Sequence, residues 1–239
     1  MMAVDEKENG GSRARAAGRP RRLTLDQIIA AAREIGLGRL TMSAVAKRLD
    51  VSITVLYGYI SGRGELIRLV AAEVTSDSAA VRDQGQSWPV YVAQSAAALY
   101  QVLTGPGKLL AYYIDGGLGP EVEIDRTEAW LSKLTGCGFS ASDALLLQRR
   151  MGEIVIGGAV TALHSRALED ARRPFEEAAR AAIAARGSTL PLLAGQTGQF
   201  AERRPVWTAS IAGLLAEQAR ERNEEFDKDA VAAALSIAP

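Results

Sequence analysis

Ser52, Ile53, Thr54, Tyr57 and Gly58 fall within one short stretch, bounded by Asp50-Val51 before it and Ser61-Gly62 after it. On a helix these side chains can turn outward together. They are small or polar, which suits the N-terminal half of a helix entering a DNA major groove. Covalent and acid–base chemistry finds no comparable set. His164 is the single histidine and Cys137 the single cysteine, too few for a zinc site. There is no Gly-x-Ser-x-Gly and no phosphate-cradling glycine loop, so the expectation is that the chain is not an enzyme and carries no cofactor. One cysteine also excludes an internal disulfide.

The elements that must position such a reading face are legible around it. Thr24-Leu25-Asp26-Gln27 has the form of a capping box, and Leu25, Ile28, Ile29, Ala32 and Ile35 follow at helical spacing. Gly36 and Gly38 stop that helix. A second helix starts at Thr41, with Met42, Val45, Ala46 and Leu49 on one face, and breaks at Asp50. Ser52 caps a short third helix carrying Val55, Leu56 and Tyr59, and a fourth shows Leu66, Ile67, Val70 and Val74. A helix-turn-helix needs a small residue where its helices cross, and Ala46 supplies it. Its turn needs a residue that tolerates a left-handed backbone, here Asp50. Val45, Leu49, Val51 and Leu56 supply the apolar frame, with Tyr59 expected to close its far end. The same pattern also describes an ordinary helical hairpin inside a core.

The charge distribution favours the nucleic-acid reading. Net charge is zero, yet residues 1–68 hold 12 Lys and Arg against 7 Asp and Glu, and the rest 16 against 21. A basic front and an acidic back suggest that only the front meets a polyanion. Residues 1–22 are polar, without an apolar period, and read as a disordered arm. Arg13, Arg15, Arg19, Arg21 and Arg22 make its second half basic, fit to lie along phosphates or enter a minor groove; a plain solubilising tail is the alternative. Arg21 and Arg22 abut the first helix and are the better candidates.

Beyond residue 80 the periodicity is helical throughout. Helices are expected over 88–103, 108–115, 121–134, 140–167, 174–186 and 205–222, with 187–204 a loop containing one short turn. With 48% hydrophobic and 5% aromatic residues, the composition suits helices packed on helices. No run is long and apolar enough for a membrane helix and the N-terminus does not read as a signal peptide, so a cytoplasmic protein without a membrane partner is expected.

The run Leu40-Thr41-Met42-Ser43-Ala44-Val45-Ala46-Lys47-Arg48-Leu49-Asp50-Val51-Ser52, then Leu56-Tyr57-Gly58-Tyr59 and Arg63-Gly64-Glu65-Leu66-Ile67, resembles the TetR family of regulators. The strong resemblance covers residues 23–70. Three positions depart from the pattern: Asp50 where glycine is usual, Ile60 where phenylalanine is common, and Arg63 in place of lysine. The resemblance implies an all-α homodimer. Residues 23–68 would form a three-helix DNA-binding domain. Residues 69–239 would form a larger helical domain that dimerises and binds a small-molecule inducer, releasing a double-stranded DNA operator.

The family roles carry over residue by residue. Thr41 and Ser43 would meet a phosphate at the start of the second helix. Ser52, Ile53, Thr54 and Val55 would face base edges, the apolar ones touching thymine methyls. Tyr57 and Tyr59 match phosphate-contacting aromatics, and Arg63 would neutralise a phosphate. Gly58 removes a side chain that many relatives use on DNA. No Arg, Asn or Gln stands on the reading face, so shape, methyl contacts and the arm should carry much of the specificity. For the dimer interface, the resemblance points to two late helices. The candidates there are Ile154, Gly157, Gly158, Thr161, Trp207, Ile211, Leu214 and Leu215; plain intrachain core would explain the same stripes. The inducer candidates are Trp88, Tyr91, Tyr112, Tyr113, Trp130 and Met151, large side chains that also suit a core. A DNA-binding regulator without an inducer, and a helical enzyme, remain the alternatives in function.

Overall fold

The structure, a computed structural model, describes residues 23–79, 81–105, 109–114, 120–171, 174–202 and 206–236. These are helical without strands: α1 (Leu25–Ile35), α2 (Met42–Leu49), α3 (Ile53–Tyr57), α4 (Arg63–Ala79), α5 (Trp88–Thr104), α6 (Leu109–Ile114), α7 (Glu121–Gly136), α8 (Ala141–Asp170), α9 (Phe175–Ala185), α10 (Pro191–Ala194), α11 (Thr197–Ala201), α12 (Trp207–Glu221) and α13 (Lys228–Leu235). Arg21, Arg22 and the rest of the arm lie outside the described residues, as does the membership of Val74 in the fourth helix's buried side.

Local rules build the head. Thr24 caps α1 reciprocally: its hydroxyl accepts from the Gln27 N–H, and the Gln27 side chain accepts from the Thr24 N–H. Gly36, at φ +80°, ends the helix in a conformation that disfavours any β-carbon. The Thr41 hydroxyl accepts from Ala44 N–H to start α2. Asp50 then adopts a left-handed conformation, φ 55° and ψ 45°, and the Val51 N–H turns back to the Ala46 carbonyl. The turn is closed in the manner of a helix C-terminus normally finished by glycine. Asp50→Val, which puts a β-branched residue into that conformation, is expected to lower stability by about 1–2 kcal/mol, read from the urea midpoint. An unchanged midpoint would show that the turn relaxes at no cost.

Two apolar cores result. The first joins Ile28, Leu40, Val45, Leu56, Ile60, Leu66, Ile67 and Val70. Ile60, not Tyr59, closes its far end: Ile60 is buried and Tyr59 exposed. The Tyr59 core expectation is corrected there, because α3 ends at Tyr57 and the chain turns so that the following residue points inward. This core also takes in Val102 of α5 and Leu109 of α6, and α4 runs unbroken through residue 68. The head is thus seated on the larger unit through α4. The second core gathers α5, α7, α8, α12 and α13.

Two stretches differ from the sequence expectation. Residues 187–204 hold the short helices α10 and α11, which pack against α9 with Ala201 and Ile183 buried and Phe175 against Phe200 at 5.8 Å. Their glycines and polar residues hide a periodicity only one turn long. The last helix, α13, was not anticipated: its run of alanines masks an inward face of Val231 and Leu235. Asp227, whose carboxylate accepts from Ala230 N–H, was its local signal.

Candidate nucleic-acid interface

The third helix begins at Ser52, whose hydroxyl accepts from Val55 N–H at 3.4 Å, and its inner face is anchored by Leu56, which is wholly buried. With that one residue held, the others are placed outward by helical geometry. Ile53, Val55, Tyr57 and Tyr59 are all exposed, and Tyr57 is 53% open to solvent. Ser52, Thr54 and Gly58 are exposed beside them, as are Thr41 and Ser43 on α2. Large apolar side chains crowded on the outside of a short, capped helix gain nothing for folding, so their position needs a partner surface to explain it. Gly58 has a local reason as well: a β-carbon there would press on the Val55 carbonyl at 3.2 Å.

Arg63 stands exposed at the first position of α4 and also bonds within the chain. Its Nε donates to the Leu40 carbonyl at 2.8 Å, and its Nη2 donates to the Tyr112 hydroxyl at 3.0 Å. The Tyr112 hydroxyl in turn donates to the Leu37 carbonyl at 3.0 Å. The guanidinium carbon lies 5.9 Å from the Tyr112 ring centroid. Arg63 and Tyr112 therefore clasp the head to α6. No sequence signal pointed to this pair, because 49 residues separate its members. The start of α4 is held separately: the Ser61 N–H donates to the Glu65 carboxylate, and hydrogen bonding from the Ser61 side chain first, then from its N–H, keeps that carboxyl below its usual range.

Of the other inducer candidates, Trp88, Tyr91, Trp130 and Met151 come together, but as members of the second core. The Trp130 indole donates to the Ala144 carbonyl at 2.8 Å and its ring lies 5.8 Å from that of Tyr91. The Trp88 indole donates to Glu224, and its ring meets Phe139 edge-on at 5.0 Å. Burial, with the nearby Asp83 adding to it, pushes the Tyr91 hydroxyl's pKa up. Tyr113 is exposed.

The dimer candidates divide. Trp207, Ile211, Leu214 and Leu215 are buried in the chain's own core, and Ile154 packs against it. Gly158 also faces inward, since a β-carbon on it would lie 2.7 Å from Trp207. Gly157 and Thr161 are exposed on α8, where the Thr161 hydroxyl donates to the Gly157 carbonyl. Leu146 and Val160 are exposed on the same helix, and Gly213 is exposed on α12.

Among the described residues no helix is long and apolar enough to cross a membrane. Comparison with known proteins found no matching family model. A protein from Saccharopolyspora erythraea named as an HTH-type transcriptional regulator is 29% identical over 182 residues, covering 72% of this chain and 74% of that protein. Among solved structures, apo ActR from Streptomyces coelicolor superposes with a TM-score of 0.64 at 20% identity, over 83% of this chain and 98% of that one. ActR in complex with (S)-DNPA, described as a TetR family protein, gives 0.63 at 21% identity over 83% and 98%. TetR from Acinetobacter baumannii AYE gives 0.58 at 21% identity over 84% and 99%.

Proposed function

We propose that this all-α chain, which has the fold of TetR-family regulators, is a transcriptional repressor of that family, acting in the cytoplasm as a homodimer on a palindromic operator and released by a small, largely apolar molecule. The observation that carries the reading is the outward face of α3, where Ile53, Val55, Tyr57 and Tyr59 stand exposed on a helix fixed by the Ser52 cap and buried Leu56. The apolar pair suits thymine methyls, and the tyrosine hydroxyls suit phosphate oxygens. Thr41 and Ser43, at the start of α2, add hydroxyls where free backbone N–H groups favour an anion.

The dimer would form on the side of α8 and α12 that the chain leaves open, around Leu146, Gly157, Val160, Thr161 and Gly213. Exposed glycines there let two backbones approach. Inducer binding would reach the heads through α6, because Tyr112 is tied to both Arg63 and the Leu37 carbonyl.

The test is retention of the protein's own promoter fragment in a gel, repeated across salt concentrations. With roughly 6–10 phosphate contacts per dimer, affinity should fall roughly 10³–10⁵-fold between about 50 and 200 mM salt. No retention, or retention indifferent to salt, refutes DNA binding by this face. Sedimentation as a monomer at micromolar concentration refutes the dimer.

A further inference from the structure

Arg33 on α1, Arg48 on α2 and Arg63 on α4 are all held by other groups, but not by the same kind. Arg33 pairs with Glu73 and Arg48 with Glu34. Arg63 is held by neutral oxygens, the Leu40 carbonyl and the Tyr112 hydroxyl. No ion pair to Arg63 occurs among the described residues. Its charge is therefore positioned without being cancelled.

The way it is held decides where it points. Its Nε reaches back to Leu40, the residue before Thr41. Its Nη2 donates to the Tyr112 hydroxyl, whose own proton is spent on the Leu37 carbonyl, so that a lone pair faces the guanidinium. Leu37 and Leu40 are the two ends of one 3₁₀ turn, closed by the Leu40 N–H on the Leu37 carbonyl. Two anchors on one turn leave the guanidinium little freedom to swing. These bonds use two of its five N–H donors, leaving both on Nη1 and one on Nη2. Arg63 is exposed, as are Thr41 and Ser43 just after Leu40. The N–H groups of Met42 and Ser43, in the first turn of α2, have no helical partner. The free donors of Arg63 thus adjoin those at the start of α2.

We propose that Tyr112 is a positioning residue for DNA binding: from α6 it holds Arg63 against the start of α2, where the guanidinium takes a backbone phosphate beside Thr41 and Ser43. This rests on the DNA-binding reading above and adds to it a residue outside the head that does not itself touch DNA. An arginine loose in solvent gives up rotamer freedom when it meets a phosphate. Tyr112 has removed that freedom beforehand, so its hydroxyl raises affinity through Arg63.

Retention of the promoter fragment across a salt series tests this on the full chain, with Y112F, R63Q and the double variant. Y112F keeps the ring and loses only the hydroxyl. It should bind roughly tenfold more weakly, summed over the two heads of a dimer. R63Q should lower the slope of log affinity against log salt by about 2, one phosphate for each head. Y112F should lower the slope in the same direction, and within R63Q protein it should change affinity by less than about twofold. A Y112F protein that binds as tightly as wild type overturns the assignment. So does a Y112F loss at the wild-type slope, which is what a loosened α6 alone would give. A Y112F loss that persists in R63Q protein, or an R63Q protein of wild-type slope, overturns it as well. If R63Q lacks the wild-type thermal midpoint, the slope of Y112F decides alone. A wild type that retains no DNA refutes the regulator reading and this role together, whereas an unchanged Y112F beside a wild type that binds refutes this role only.

Discussion

Replacing Tyr57 with alanine is expected to abolish operator binding while leaving the helical circular-dichroism signal and the thermal midpoint unchanged. Both halves follow from one fact, that Tyr57 is 53% exposed on a helix whose only buried member is Leu56. A side chain more than half exposed and outside the core changes stability little when removed. A hydrogen bond from its hydroxyl to a charged phosphate oxygen is worth about 1.5–3 kcal/mol. A dimer with two heads loses that amount twice, which places the loss of affinity on the order of 100-fold or more. Tyr57→Phe removes the hydroxyl alone and should fall between the two proteins. A Tyr57→Ala variant with full affinity would remove α3 from the interface altogether.

The second large effect lies far from DNA. Trp207 is 4% exposed, stacks on Tyr100 with ring centroids 4.5 Å apart, and lies against Gly158 so closely that a β-carbon there would sit 2.7–2.8 Å from it. Trp207→Ala should cost about 3–5 kcal/mol in a urea titration at fixed protein concentration, through lost burial and the space left behind. Gly158→Ala should cost about 1–3 kcal/mol, because Trp207 cannot withdraw without disturbing Tyr100. The informative protein is the double variant. With the indole gone, the added methyl finds room, and alanine is a better helix former than glycine by about 1 kcal/mol. Gly158→Ala should then stabilise the Trp207→Ala protein, reversing its sign. Additive losses would show that the α8–α12 contact does not depend on this pair.

The head and the body differ in how far residues alone reveal them. In the head, the start of α1 at Thr24, the start of α2 at Thr41, the left-handed turn at Asp50 and the cap at Ser52 stand where the sequence places them. Each depends on neighbours within four residues: a hydroxyl reaching a free N–H, a backbone reversed by one residue, an apolar side chain every third or fourth position. Ile60 is the exception within the head. The apolar pattern put Tyr59 at the closed end, and only the path of the chain after α3 shows that Ile60 takes that place.

The body shows the other side. Periodicity marked Trp207, Ile211, Leu214 and Leu215 as a stripe that must be covered, but a stripe does not state what covers it. The tertiary structure answered with the chain's own α5 and α8. Trp88, Tyr91, Trp130 and Met151 followed the same course into a packed core. Arg63 was legible as a cation at a helix start. Its partner Tyr112 was not, because hydrogen bonds between distant residues leave no spacing to read. What the sequence by itself determined was the N-terminal head: its helices, caps and turn, and the outward set of Ser52, Ile53, Thr54, Tyr57 and Gly58, because those features obey short-range rules. What only the tertiary structure decided was which apolar faces meet within the chain and which cation clasps the head, because burial and pairing are properties of surfaces brought together from far apart.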